Sequence, residues 1–177
     1  MKKLLIVVDM QNDFINGSLG TPQAQRIVPR VKTKIAEYKK NGNKVVFTRD
    51  THHDDYLEKQ EGKCLPVVHC VEGTHGHEIT NKLDTDGCTV IDKPTFGSPK
   101  LAVTIGAEGL DEIELCGLCT DICVISNALI IKANNPETKI TVDAGCCAGT
   151  TEEGHKAALL IMKTCHVNVI GEERKVL

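Results

Sequence analysis

Three side chains that could share one reaction stand at or just past the ends of aliphatic runs. Asp9 follows Leu4-Leu5-Ile6-Val7-Val8, Lys93 follows Val90-Ile91-Asp92, and Cys123 lies just beyond Leu115-Cys116-Gly117. A carboxylate, an ammonium and a thiol supply a base, a charge stabiliser and a nucleophile, the set that covalent hydrolysis needs. Each also has an ordinary alternative. A carboxylate leaving a strand is commonly a turn residue, a lysine at a strand edge is commonly solvated, and a free cysteine is commonly a small core hydrophobe. Cys123 is placed more sharply, because Gly117-Leu118-Cys119-Thr120-Asp121 reads as a turn with Thr120 as N-cap. That puts Cys123 in a first helical turn, where the thiol pKa is expected to fall.

A second group could hold a metal. Asp50 and His52 are alternate residues leaving an aliphatic run, so their side chains can point the same way, and His69 follows after the Pro66 turn, with Glu58 and Glu61 in reach between them. Mixed carboxylate and imidazole donors suit Zn²⁺, Mn²⁺ or Fe²⁺, while the competing reading makes these ordinary loop histidines. Cys116-Gly-Leu-Cys119 is weak as a redox or cluster motif, since it straddles a strand end and no second such pair completes a four-cysteine site. The vicinal Cys146-Cys147 pair is expected to put one thiol in the core and one at a turn.

Six β-branched runs read as buried strands: 3–9, 44–50, 88–93, 112–117, 139–143 and 167–170. Between them lie amphipathic stretches, the clearest carrying Ile27, Val28, Val31, Ile35 and Tyr38 at helical spacing and closed by Asn41-Gly42. Others run from about Asp121 to Ala133 and from about Glu152 to Cys165. The alternation predicts an α/β fold, a doubly wound, mainly parallel six-stranded sheet in a three-layer α/β/α arrangement. In such sheets the active site lies beyond the carboxyl ends of the strands, so Asp9, Asp50, Lys93 and the turn leading to Cys123 should converge on one crevice. The stretch from Thr51 to Thr80 has no clear periodicity, yet it holds five of the seven histidines. A loop that long inside a compact domain is usually functional or disordered.

With 177 residues, 41% of them hydrophobic, the chain reads as one domain, 1–177. Trp is absent and Phe and Tyr are few, so the core must be Val, Ile, Leu, Ala and Cys, which suits parallel strands covered by helices. A net charge of −3 without a basic block leaves no footprint for nucleic acid or for an anionic membrane. The first apolar stretch stops at Asp9, far short of the ~20 residues a span needs and before any secretory cleavage pattern. The odd count of nine cysteines argues for free thiols and a cytoplasmic protein.

These residues, in this order, resemble the isochorismatase-like cysteine hydrolases, and in particular their nicotinamidase-like members. The resemblance rests on Leu4-Leu-Ile-Val-Val-Asp-Met-Gln-Asn-Asp-Phe14, Thr48-Arg-Asp-Thr-His52, His69-Cys-Val-Glu-Gly-Thr74, Lys93 and Cys116-Gly-Leu-Cys-Thr-Asp-Ile-Cys-Val124, and it covers nearly the whole chain. It implies a catalytic triad of Asp9, Lys93 and Cys123, and a cis peptide between Leu118 and Cys119. It implies an oxyanion hole from the backbone N–H groups of Cys119 and Cys123, and a divalent metal, zinc before manganese or iron, on Asp50, His52 and His69 with Glu61 favoured over Glu58. A small-molecule amide substrate and a homo-oligomer follow from the same resemblance. One departure stands out. Such enzymes commonly carry a tryptophan shortly before the last metal histidine, where this chain reads Leu65-Pro66-Val67-Val68-His69. Phe14 is then expected as one wall of the substrate pocket and Leu65 or Val68 as the other. Competing readings are a metal-independent cysteine hydrolase of carbamoyl or ureido substrates, an isochorismatase, and a non-catalytic thiol or metal-binding module.

Overall fold

The computed structural model describes residues 1–106 and 108–172. Its six strands are β1 (Lys3–Val8), β2 (Lys44–Asp50), β3 (Thr89–Lys93), β4 (Glu112–Leu118), β5 (Lys139–Ala148) and β6 (Asn168–Ile170). They form one sheet in the order β3-β2-β1-β4-β5-β6, and every pairing is parallel. All six lie where the β-branched runs predicted them. Leu4 to Val8 are wholly buried, as a central strand covered on both faces must be.

Six helices accompany the strands: α1 (Asn12–Ile15), α2 (Pro22–Lys40), α3 (Gln60–Cys64), α4 (Pro99–Gly106), α5 (Ile125–Asn134) and α6 (Glu152–Thr164). In α2 the Thr21 side chain accepts from the Ala24 N–H, Pro22 opens the helix, and Ala24, Ile27, Val28, Val31 and Ile35 are buried at helical spacing. Thr151 caps α6 in the same way through the Gly154 N–H, with Glu152 and Glu153 in its first turn. The chain winds outward from β1 to β3, then returns to β4 and winds the other way. With right-handed crossovers this puts α2 on one face and α4, α5 and α6 on the other. The reversal falls between β1 and β4, the place in such sheets where the carboxyl ends of the strands carry a site.

One expectation needs correction. β5 runs on to Ala148 instead of stopping at Asp143, so Cys146 and Cys147 are both buried rather than divided between core and turn. The 51–80 stretch is ordered: it contains a 3₁₀ turn (Tyr56–Glu58) and α3, and it is bonded back to the exit of β1. His52 N–H donates to Cys70 (3.0 Å), Asn12 N–H to Glu78 (3.0 Å) and Thr80 N–H to Met10 (3.0 Å). All nine cysteines are free. No helix among the described residues is long and apolar enough to cross a membrane.

Candidate active site

Asp9 is the first residue past β1 and sits at φ 45°, a left-handed conformation that an aspartate tolerates better than a branched residue would. Its N–H donates to the Thr48 carbonyl (3.2 Å), and Thr48 Oγ1 donates to Asp9 Oδ1 at 2.6 Å. The other oxygen, Oδ2, lies 2.7 Å from Lys93 Nζ and has no other partner among the described residues. Lys93, at the end of β3, also reaches Asp50 Oδ1 (3.3 Å), the Thr95 carbonyl (3.1 Å) and Cys123 Sγ (3.5 Å). All of this is inside the protein: Asp9 is 0%, Lys93 1% and Cys123 4% exposed. The three strand-end groups therefore meet around one ammonium.

Cys123 lies in a π-helical turn, Thr120–Val124, that leads into α5. Thr120 is not the N-cap: Cys119 holds that position without a side-chain bond, and the Thr120 hydroxyl pairs with His155 Nδ1 (2.8 Å). The turn closes through the N–H groups of Ile122 and Val124, both donating to the Cys119 carbonyl (3.1 and 3.0 Å), and the Leu118–Cys119 peptide is cis. The expected fall in the Cys123 pKa is also overturned. Burial pushes the thiol well above its ordinary value, the Asp9 carboxylate adds to this, and Lys93 pulls it only part of the way back. That direction favours the protonated thiol, whose proton a base would remove. Burial likewise pushes the Asp9 carboxyl up, opposed by Lys93 and by the Thr48 bond, with Asp50 adding to the rise.

Beside this cluster, one donor atom from each of Asp50, His52, Glu61 and His69 lies within 4.8 Å of the others. His52 Nε2 is 3.0 Å from Asp50 Oδ2 and 3.6 Å from Glu61 Oε1, and His69 Nε2 is 3.6 and 4.0 Å from the same two oxygens. Four ligands at about 2.1 Å around a tetrahedral ion stand about 3.4 Å apart, so the separations fit a zinc-sized ion. His69 Nδ1 donates to the Val67 carbonyl (2.7 Å), which leaves Nε2 as the lone-pair donor facing the set. Glu61, carried by α3, belongs to this group and Glu58 does not. Asp50 joins the two clusters, with Oδ2 toward the imidazoles and Oδ1 toward Lys93. Burial alone would raise its pKa, but His52, His69 and Lys93 outweigh burial and hold the carboxyl well below the usual range.

Of the expected pocket walls, the Phe14 ring lies 5.5 Å from that of His69, centroid to centroid, and is 8% exposed. Leu65 is 36% exposed, and its recorded bonds are through its backbone. Several buried polar residues at the site gave no signal in the sequence. Gln11 spans both backbone groups of Asp50: its Oε1 accepts from Asp50 N–H (2.7 Å), and its Nε2 donates to the carbonyls of Asp50 (2.8 Å) and His77 (2.9 Å). Thr48, Tyr56 and Asn127 also hold buried bonds here, to the Asp9 carboxylate, to the Leu65 carbonyl and to the backbone of Ser98, Phe96 and Cys123. For Gln11, Thr48 and Asn127 the only sequence cue is a polar residue inside or beside an apolar run; Tyr56 lies in a polar stretch without even that.

The isochorismatase domain family matches residues 3–174. The chain belongs to the isochorismatase family. Among its relatives, the nicotinamidase/pyrazinamidase of Mycobacterium tuberculosis is 30% identical, with 95% of this chain and 98% of that protein covered. The pyrazinamidase of Pyrococcus horikoshii, solved in complex with zinc, has a TM-score of 0.85 at 27% identity over 97% of this chain and 100% of that one. N-carbamoylsarcosine amidase from Thermoplasma acidophilum has a TM-score of 0.82 at 28% identity, over 99% of each chain. The chain is a hydrolase of this family, with nicotinamidases among its relatives.

Proposed function

We propose that the chain is a cysteine-dependent amidohydrolase that converts nicotinamide and water to nicotinate and ammonia through an acyl-thioester on Cys123. The observation that carries the reading is the buried meeting of Asp9, Lys93 and Cys123 directly against the Asp50–His52–Glu61–His69 donor set. Asp9, whose Oδ2 has an ion pair with Lys93 and no hydrogen-bond partner among the described residues, takes the thiol proton as sulfur attacks the amide carbon. Lys93, 3.5 Å from the sulfur, stabilises the thiolate as it forms. The S–C bond forms and the carbonyl electrons move onto oxygen, where the N–H groups of Cys119 and Cys123 receive the charge; such a donor is worth ~3 kcal/mol. Collapse breaks the C–N bond, and Asp9 passes its proton to the departing nitrogen. Water then gives a proton to Asp9 and attacks the thioester. The S–C bond breaks, the acid leaves, and the proton returns to Cys123.

Asp50, His52, Glu61 and His69 would hold a divalent ion, zinc first among the candidates by donor type. A bound ion would supply a Lewis-acidic position for a ring nitrogen or a water beside the reacting carbon.

The test is ammonia release from a panel of nicotinamide, linear amides and carbamoyl or ureido compounds, run on the parent chain and on Cys123→Ala. Nicotinamide should be turned over, and the variant should be inert with an unchanged circular dichroism spectrum. Without a tryptophan, ring stacking worth ~0.5–1.5 kcal/mol is missing, so KM should be high relative to tryptophan-bearing relatives while kcat is little changed. Turnover confined to ureido or carbamoyl compounds would replace the nicotinamidase reading with the carbamoyl one.

A further inference from the structure

Tyr56 is 1% exposed, yet it does not belong to the hydrophobic cluster that fills the two faces of the sheet. Its surroundings are the donor set itself. The ring lies 4.6 Å from that of His52, tilted by 54°, and 5.0 Å from that of His69, at 77° and so nearly edge-on. These two imidazoles are in turn 4.8 Å apart at 75°. One phenol ring therefore packs on both nitrogen donors at once.

The hydroxyl reaches the same site by a second route. It donates to the Leu65 carbonyl at 2.9 Å, and that oxygen also accepts from the Val67 N–H at 2.8 Å. The Val67 carbonyl then accepts from His69 Nδ1 at 2.7 Å. A continuous strap thus runs from the phenol through Leu65 and Val67 to the ring of His69. The backbone of Tyr56 makes a third link. A Cβ at position 62 would run into the Tyr56 carbonyl oxygen, so only glycine lets α3 lie this close to the 3₁₀ turn, and Gly62 adjoins Glu61. His52, His69 and Glu61 each take their place against one residue.

We infer that Tyr56 is the positioning residue of the metal site: its ring seats both imidazoles and its hydroxyl fixes the strap that carries His69. The inference rests on the reading of Asp50, His52, Glu61 and His69 as metal ligands and deepens it. Ligands held in advance of binding lose less freedom when the ion arrives, and removal of such outer partners typically costs 10–100-fold in metal affinity.

The experiment measures zinc affinity of the full-length chain by competition with a chromophoric chelator, together with the visible spectrum of the cobalt-substituted form. Tyr56→Phe removes only the hydroxyl and should weaken zinc roughly tenfold, the low end of that range; Tyr56→Leu removes the ring as well and should approach about 100-fold. The cobalt bands should shift in both variants, a change that lowered global stability alone would not produce. Should Tyr56→Leu fail to fold, Tyr56→Phe decides the matter by itself. Tight zinc uptake by the parent, matched by the folded variants with unchanged cobalt bands, overturns the role of Tyr56 alone. No zinc uptake by the parent overturns the ligand reading and the inference together.

Discussion

A base that is fully buried beside an ammonium has its proton affinity pulled in two directions. For Asp9 burial and Asp50 push the pKa up, while Lys93 and the Thr48 hydroxyl hold it down, and the net direction is up. Asp9 must be ionised to accept the thiol proton, so activity should fall as pH drops through that raised value. The acid limb of kcat/KM is expected above the ordinary carboxylate pKa of about 3.9. Thr48→Val deletes the 2.6 Å bond that favours the carboxylate and should move the limb further up. A pH profile of the two proteins checks this; a limb at or below the ordinary value, or one that moves down in the variant, would remove Asp9 from the role of base. At this scale the chain was readable where a residue's type announced its chemistry, as with Asp9, Lys93, Cys123, Asp50, His52 and His69. What depended on desolvation was not readable. The position of Cys123 near a helix start argued for a lowered pKa, but the residue is 4% exposed and near the Asp9 carboxylate, and burial reverses the direction.

The elements that aim these residues are tied together by buried amides. Asn127 of α5 is 0% exposed; its Oδ1 accepts from the Ser98 N–H (3.0 Å), and its Nδ2 donates to the carbonyls of Phe96 (3.1 Å) and Cys123 (2.8 Å). It clips the loop after β3, whose Thr95 carbonyl holds Lys93, to the turn that carries Cys123. Asn127→Leu breaks three bonds and strands their partners, so it should cost about 3 kcal/mol at about 1 kcal/mol each and reduce kcat as well. Urea unfolding measures the first and ammonia release the second; a loss below about 1 kcal/mol would mean the clip is dispensable. Bonds of this kind explain what the element pattern did not reveal. Strands showed themselves as β-branched runs and α2 as a 3.6-residue period, because burial writes those patterns into the residues. The stretch from Thr51 to Thr80 owes its order to backbone bonds with residues such as Met10 and Asn12, far away in the chain. Such bonds impose no periodicity.

Across the whole molecule, chemistry and anchorage occupy opposite ends of the sheet. The carboxyl ends carry the candidate site, while at the amino ends Glu112 joins three adjacent strands. Its Oε2 is 2.8 Å from Lys3 Nζ on β1, and its Oε1 is 2.8 Å from Lys139 Nζ and 3.1 Å from Thr141 Oγ1 on β5. The bonds from Lys139 and Lys3 outweigh burial and take the Glu112 pKa from 4.5 down to about 2. A carboxyl depressed on folding contributes stability that is whole above its unfolded pKa and is lost as pH falls toward its folded one. Glu112 should therefore add stability at neutral pH that disappears progressively from about pH 4.5 to about pH 2. Glu112→Gln cannot titrate there, so it should be less stable than the parent at neutral pH and lose less on acidification, with the two urea midpoints converging as pH falls. Its neutral-pH kcat should stay within about twofold of the parent, because the site lies at the other end of the strands and distant sites act independently. Urea midpoints across that pH range, taken beside ammonia release, test both halves of the argument. An unchanged acid dependence in the variant removes Glu112 as its source, and a large fall in kcat removes the independence of the two ends.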